Sequence, residues 1–513
     1  MSTPTATAAR GRGVWGRLGS GLTVLVTLVL AFITCVELIN SLFYDPYGDE
    51  RFLFTFAESL ASVSISQLTF FMFGSLALLL MMGLPMAFVV GGLGVVFIYL
   101  VGGPTMINII PVRIYPLMAN PDLAAIPLFI FMASMLERAG LIEEMFDVVY
   151  KWMGGLRGGL AAATIVASTI LAAMVGVIGA AVVTMGIIAL PAMLRRNYDH
   201  KIALGSIMAG GTLGILIPPS ILAILYAVVA QQSVGRLYLG SVVPGLMLSS
   251  LYIGYIVLRS WINPSLGPAL PREERVNLRE KLRLLLNLIA PIFLVFLVLG
   301  LLFGGIATPV EAAGIGSFGA MIVAAMHKRF SLQALREASI TTARASAMVL
   351  WIMFGASIFV GFFILQGGRE FITDGILGTG LNPYGILLLM MVMLVFLGMF
   401  LDWVGILLLT VPIFVPIIES MAFNGILGGP AVDGRDEILW FGVLYLVNMQ
   451  MSFLSPPFGY ALFYLRGVSP PEISMATIFR AALIFLTLQA VGLYLCVQFP
   501  WIVTWLPHAI YGN

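Results

Sequence analysis

Eight stretches of this chain run without a single Asp, Glu, Lys or Arg: residues 59–112, 159–194, 202–235, 237–258, 284–310, 345–368, 438–465 and 481–507. A bilayer-spanning helix needs about 20 apolar residues, so several of these stretches are long enough for two spans or the two arms of a hairpin. The expected fold class is an all-α integral membrane protein, a polytopic helical bundle. Dividing the apolar length by one span predicts roughly eleven to fourteen membrane-entering helices.

Composition agrees and removes other classes. Of 513 residues only 10% are charged, against roughly 25% in a soluble globular chain, so a large water-exposed surface is excluded. The net charge of +2 gives no reason to expect a nucleic-acid partner. Cys35 and Cys496 both lie in apolar segments and suggest neither a disulfide framework nor a metal site. His200, His327 and His508 show no ligand spacing and are read as solvated side chains near helix ends. The His-Glu-x-x-His zinc motif, the phosphate loop and the Gly-x-Ser-x-Gly nucleophile elbow are all missing from the sequence. The chain is therefore expected not to be an enzyme, and any pumping would draw on an ion gradient or on ATP hydrolysed by another chain.

Residues 1–20, with Arg10, Arg12 and Arg17, read as a cytoplasmic tail, because basic residues stay inside. The apolar segment 21–43 is longer than a signal-peptide core and reads as a retained extra transmembrane helix. Basic clusters at Arg195/Arg196/Lys201, Arg272–Arg283 and Lys328–Arg344 mark cytoplasmic connections. The charged, Pro-containing linker 263–283 divides a first half, 44–262, from a second, 284–513. Corresponding features recur in the same order in both halves, as in an internal repeat. They are Phe131-Met132-Ala133-Ser134 and Phe354-Gly355-Ala356-Ser357; then a small-residue or kinked stretch, 176–191 and 398–412; then Pro218-Pro219 and Pro456-Pro457, 238 positions apart.

A proline inside a helix removes a hydrogen bond and clashes with the preceding turn, at a cost of about 3 kcal/mol, and it pushes the residue before it out of helical geometry. A proline pair should break a helix. Freed backbone at membrane depth survives only inside protein or along a polar cavity, and paired interrupted helices point to a transporter's binding site. The alternative is that each pair simply turns one span into the next.

Asp402 is the only charge between residues 375 and 418. A lone intramembrane carboxylate costs roughly 2.5–3.5 kcal/mol on insertion scales and marks a functional position; it could ligate a cation, relay a proton, or cap a half-helix, roles that are compatible. Glu311 with Thr308 fits a capping box. Glu37, Glu58 and Glu419 are read as interfacial. Asn448 and Gln450 precede the second proline pair and could hold its freed backbone or touch substrate. With a single strong intramembrane acid, sodium coupling through backbone oxygens is expected over proton coupling.

Gly210-Gly211-Thr212-Leu213-Gly214-Ile215-Leu216-Ile217-Pro218-Pro219-Ser220 resembles the hallmark of the large membrane subunit of tripartite ATP-independent periplasmic (TRAP) transporters. Gly305-Ile306-Ala307-Thr308-Pro309-Val310-Glu311-Ala312-Ala313, Gly398-Met399-Phe400-Leu401-Asp402 and Ser455-Pro456-Pro457-Phe458-Gly459 agree with it. The resemblance implies a Na+-driven importer of organic anions, usually carboxylates, in the bacterial inner membrane. It implies two partners, a small four-helix membrane subunit and a periplasmic substrate-binding protein, and an elevator mechanism with inverted repeats and two re-entrant hairpins. By similarity one Na+ site would use Gly214, Ile217 and Pro219 with the facing stretch at Gly176. A second would use Asp402 and the turn from Ser455 to Gly459. The hairpin tips, with substrate-binding residues, would lie near Ser134 and Ser357. Many relatives carry hydroxyl residues where this chain reads Val175-Gly176-Val177-Ile178, which leaves mainly carbonyls at the first site. A stand-alone carboxylate symporter is the alternative reading, and a membrane enzyme or channel a more distant one.

Overall fold

Helix ends in this protein fall where the sequence supplies caps and breakers. The computed structural model describes residues 63–512 apart from 177, 272, 274, 400, 424–431, 433–435 and 458, so the expected tail 1–20 and extra helix 21–43 lie outside the described residues. Among the described residues every regular element is helical. The first part of the chain forms α1 (Ile65–Met81), α2 (Met86–Gly102), α3 (Ile109–Met118), α4 (Ala125–Arg138), α5 (Leu141–Met153), α6 (Gly159–Val175), α7 (Ile178–Arg195), α8 (His200–Thr212), α9 (Ile221–Val229) and α10 (Val234–Ile262). There follow α11 (Leu278–Leu285), α12 (Ile289–Phe303), α13 (Pro309–Met326), α14 (Leu332–Leu365), α15 (Gly368–Leu377) and α16 (Pro383–Gly398). The chain ends with α17 (Trp403–Glu419), α18 (Glu437–Leu454), α19 (Tyr460–Val468), α20 (Met475–Gln498) and α21 (Trp501–Tyr511). Six of the described helices are long and apolar enough to cross a membrane, or up to eight if each of two bent pairs is one span, and five shorter apolar helices accompany them.

Capping explains the boundaries. Thr308 accepts from the Glu311 amide at 3.3 Å while Glu311 accepts from the Thr308 amide at 2.8 Å, so α13 begins in the expected capping box. Asp199 caps α8 through the amides of Lys201 and Ile202, and Asn382 caps α16 through Gly385 at 2.7 Å. Each such cap is worth about 1 kcal/mol. Glu419 is exposed at the end of α17.

The chain forms two units. One comprises the described residues up to Leu117 with Trp351–Asp374; the other comprises Met118–Leu350 with Gly375–Asn513. This partition differs from the two halves read from motif order, because both proline pairs fall in the larger unit. In the smaller unit Phe73 packs edge-on against Phe359 and Phe363, with centroids 5.7 and 5.2 Å apart. There the backbones of α2 and α14 meet at Gly91 and Gly355, where an added Cβ on Gly355 would lie 2.9 Å from the Gly91 nitrogen. Small residues permit such approach between membrane helices.

In the larger unit α4 packs along α13, and Ser317 donates to the Leu128 carbonyl at 2.7 Å. The linker after α10 is fastened rather than loose. Gly158 and Asp199 donate to the carbonyls of Gly267 and Leu266, and Leu270 donates to Gly154. Tyr198 accepts from the Leu160 amide at 3.2 Å and donates to the Pro268 carbonyl at 3.0 Å. Burial pushes its phenol up to about 12, so it remains a donor at physiological pH. His508 departs from the expectation of a solvated histidine. Its Nε2 lies 2.5 Å from a carboxylate oxygen of buried Asp436, whose other oxygen accepts from Arg236 at 2.8 Å. Desolvation explains it: a buried carboxylate needs partners, and the fold draws them from α10 and α21.

Candidate functional site

Both proline pairs do break helices, and they do so in matching contexts. In the first half α6 and α7 form a helix pair whose apex is Gly176. Next comes α8, which tightens into a 3-10 turn at Leu213–Ile215, then the break at Pro218-Pro219, then the 9-residue α9. In the second half α16 and α17 form the pair, with Met399, Leu401 and Asp402 described at its apex. Later in the chain come α18, the break at Pro456-Pro457 and the 9-residue α19. Both Pro-Pro peptide bonds are cis.

These four irregular points converge. A cavity of about 120 Å³ is lined by Gly176, Ile178 and Gly179 from the first apex, and by Ile215, Ile221 and Leu222 from either side of the first break. Asp402 and Trp403 from the second apex, with Phe453, Tyr460 and Tyr464 flanking the second break, complete its far side. Both apices and the flanks of both breaks therefore meet at one chamber.

Local geometry explains the glycines. Gly176 sits at φ 59°, and a Cβ there would lie 2.8 Å from the Pro219 carbonyl oxygen. Left-handed backbone disfavours a side chain, and so does that oxygen. A Cβ on Gly398 would fall 2.2 Å from the Ser452 Cβ, bringing the second helix pair hard against α18. Gly459 turns directly over the carbonyls of Phe453 and Ser455, at 2.5 and 2.8 Å from an added Cβ, and its amide donates to Ser455 at 3.0 Å.

Among the described residues, no hydrogen bond is donated to the carbonyls of Ile217 or Pro219. Gly214 is buried within the 3-10 turn before them. Ser220 does the closing work at this break: its hydroxyl donates to the Ile215 carbonyl at 2.5 Å and caps α9 through the Ala223 amide. Asp402 is the N-cap of α17, accepting from the Val404 amide at 3.3 Å with the Trp403 amide also directed at its carboxylate, so the capping role is real. Ser455 is buried and donates to the Met451 carbonyl at 2.8 Å. Of the residues expected to hold a cation, Gly176 and Asp402 line the cavity, whereas Gly214, Ile217, Pro219, Ser455 and Gly459 lie beside the breaks and are not among its lining residues; a carboxylate and open carbonyls are the oxygen donors that suit a hard monovalent cation.

Four expected residues lie elsewhere. Ser134 and Ser357 are not at hairpin tips but inside the continuous helices α4 and α14. Nothing adjacent breaks the helix at either, whereas the actual apices coincide with Gly176 and with the residues before Asp402. Ser134 lies one turn beyond Ile130, which does line the cavity, and Ser357 donates only a long 3.5 Å bond to the Arg113 carbonyl. Asn448 donates to the Met391 carbonyl at 2.9 Å and lines a separate apolar groove between α16, α18 and α20. Gln450 is fully buried, with neither amide atom hydrogen-bonded among the described residues, and does not line the cavity. The residues that sequence reasoning missed are Trp403, Tyr460 and Tyr464. Tyr460 directly follows the second break and Tyr464 lies one turn on, so i, i+4 spacing was the available signal.

The sequence carries matching relatives. Residues 73–502 match the family described as tripartite ATP-independent periplasmic transporter, DctM component. The C4-dicarboxylate TRAP transporter large permease protein DctM of Vibrio cholerae is 28% identical over 455 residues, covering 85% of this chain and 96% of that one. The isethionate TRAP transporter permease protein DctMQ of Oleidesulfovibrio alaskensis is 29% identical, covering 78% of this chain and 61% of its own length. In fold, the YdaH transporter of Alcanivorax borkumensis superposes with a TM-score of 0.57 at 16% identity, over 83% of this chain and 98% of that one.

Proposed function

Because this chain belongs to the DctM component family of tripartite ATP-independent periplasmic transporters, we propose that it imports a small carboxylate-bearing organic anion on a Na+ gradient. The protein is the large permease subunit of such a transporter, a multi-pass inner-membrane protein and not an enzyme. Large permeases of this family work with a small membrane subunit and a periplasmic binding protein.

The observation that carries the reading is the convergence of both breaks and both apices on the cavity that holds Asp402. A solute that must be released on either side needs a site made of parts that can separate, and broken helices supply exposed backbone dipoles for that purpose. Na+ would be held by the Asp402 carboxylate and by carbonyls of the breaks, with Ile217, Pro219 and Gly214 on one side and Ser455 and Gly459 on the other. The cation supplies charge compensation for the carboxylate and for an anionic substrate. The chain's own residues orient it: the cap fixes the Asp402 rotamer, and Gly176 lets the first apex close onto Pro219. The relatives' named solutes, a C4-dicarboxylate and isethionate, are both small acids, which supports an organic anion as substrate. An elevator-type displacement of the site is part of the proposal.

The test is uptake into proteoliposomes holding both membrane subunits, with the cognate binding protein outside and labelled small carboxylates as candidates. Uptake should need an inward Na+ gradient and the binding protein together. Full uptake on a proton gradient without Na+ would overturn the coupling, and uptake without the binding protein would favour a stand-alone symporter.

A further inference from the structure

We propose that α11 and the start of α12 form a binding site for the headgroup of an anionic phospholipid on the cytoplasmic surface. The short helix α11 meets α12 at a bend of 49°, so it leaves the direction of the span just where the apolar segment ends. Leu282, Leu285, Leu286, Ile289, Phe293 and Phe296 are all exposed. The three- and four-residue spacings put Leu282, Leu285 and Leu286 on one side of α11 and Ile289, Phe293 and Phe296 on one face of α12, so exposed apolar surface runs on both sides of the bend. A helix with such a stripe lies in the membrane interface with its apolar face among the acyl chains.

Charge is arranged around that stripe. Arg279 and Arg283 are four residues apart, hence neighbours on the helix surface, and the same periodicity puts both along one flank of the stripe. Both are exposed, and among the described residues neither forms an ion pair or a side-chain hydrogen bond. Glu280 falls on the face opposite the stripe. Two guanidinium forks one turn apart match the oxygens of a phosphodiester, the geometry for which arginine is suited.

A separate contact holds the helix in this register. Trp152 Nε1 donates to the Lys281 carbonyl at 3.0 Å, and Lys281 Nζ donates to the Trp152 carbonyl at 3.0 Å with its ammonium 5.8 Å from the indole centroid. Lys281 is thereby committed to α5, on the flank away from the two arginines, and Trp152 is a side chain typical of the interface. The excess of Lys and Arg in the connection 263–283 assigns this end to the cytoplasm, the side that carries anionic lipid. The occupant is thus a membrane lipid whose phosphate meets Arg279 and Arg283 while its chains follow the stripe.

The test uses the full permease purified in detergent, offered phosphatidylglycerol or phosphatidylcholine in equal amounts, with retained lipid counted by native mass spectrometry. The wild type should retain phosphatidylglycerol over phosphatidylcholine by about thirtyfold, the scale expected of two surface arginines. Arg279→Gln with Arg283→Gln should bring the two lipids close to parity, whereas Arg279→Lys with Arg283→Lys should keep a preference and Glu280→Gln should not weaken it. An undiminished preference in the double glutamine variant overturns the proposal. So does competition by inorganic phosphate at the same concentration, which would mean a site for soluble anion. Should the glutamine variant fail to fold, the wild type decides through salt: the preference must fall with ionic strength, and its persistence at high salt overturns the assignment.

Discussion

The carbonyl oxygen of Pro219 stands 2.8 Å from the point where a side chain on Gly176 would begin. Gly176 closes the apex between α6 and α7, and Pro219 belongs to the break between α8 and α9. Their approach leaves no room for a methyl group and puts two stretches of irregular backbone against each other. Among the described residues, the first half of the protein thus brings no charged or hydroxyl side chain to the cavity, which it lines with glycines and aliphatic residues.

Gly176→Ala should therefore lower stability by about 1–2 kcal/mol from the left-handed backbone alone, with a further loss from the clash. Thermal unfolding in detergent checks the stability. Uptake should fall more than the unfolding midpoint suggests, because the displaced carbonyl is one proposed for the cation; a stable variant with wild-type uptake would remove Gly176 from the site.

At Asp402 the two roles can be separated. Asn caps a helix about as well as Asp, so Asp402→Asn should keep the start of α17 while removing the charge. Its apparent Na+ affinity for uptake should weaken by about tenfold or more, the scale of one lost charged ligand. Asp402→Ala should lose transport and, in addition, about 1 kcal/mol of stability. Sodium titrations of uptake beside unfolding curves distinguish them, and an unchanged sodium dependence in the Asn variant would assign Asp402 to capping only.

Gly398→Ala places a Cβ 2.2 Å from the Ser452 Cβ, an overpacking that should cost about 1–3 kcal/mol. Since the nearest obstructing atom is the Cβ, Ser452→Ala, which removes only the Oγ at 2.7 Å, should give little relief while Ser452→Gly should give more. A double-mutant cycle on unfolding midpoints is the measurement, with an expected coupling of about 0.5–3 kcal/mol.

Tyr198→Phe tests the fastened linker. The hydroxyl bridges Leu160 and Pro268, and deleting it strands a donor and an acceptor, at about 1–3 kcal/mol. The loss should show in unfolding and in faster proteolysis near residues 263–270, with the sodium dependence of uptake unchanged.

Thr308→Ala should cost about 1 kcal/mol through the capping box and leave uptake per folded molecule intact. A transport defect larger than the folding defect would give Thr308 or Glu311 a part in transport.

Much of this protein can be read without coordinates, for a physical reason. Exclusion of charge from hydrocarbon is a property of composition, so the uncharged runs disclose membrane helices wherever they fold. Proline chemistry and capping are equally local, so the two breaks, the Thr308–Glu311 box and the N-cap at Asp402 follow from neighbours in the chain. Asn448, Gln450, Ser134 and Ser357 show where this ends. Helical periodicity tells which residues share a face but not what that face meets, and inside a membrane protein a polar residue can face a groove, a neighbouring carbonyl or the site with the same local sequence. Tertiary packing decided that Asn448 serves the Met391 carbonyl, that the apices are Gly176 and the residues before Asp402, and that Tyr460 and Tyr464 join them. It also brought the flanks of both breaks to a single chamber, because contacts between segments hundreds of residues apart depend on how whole helices stack.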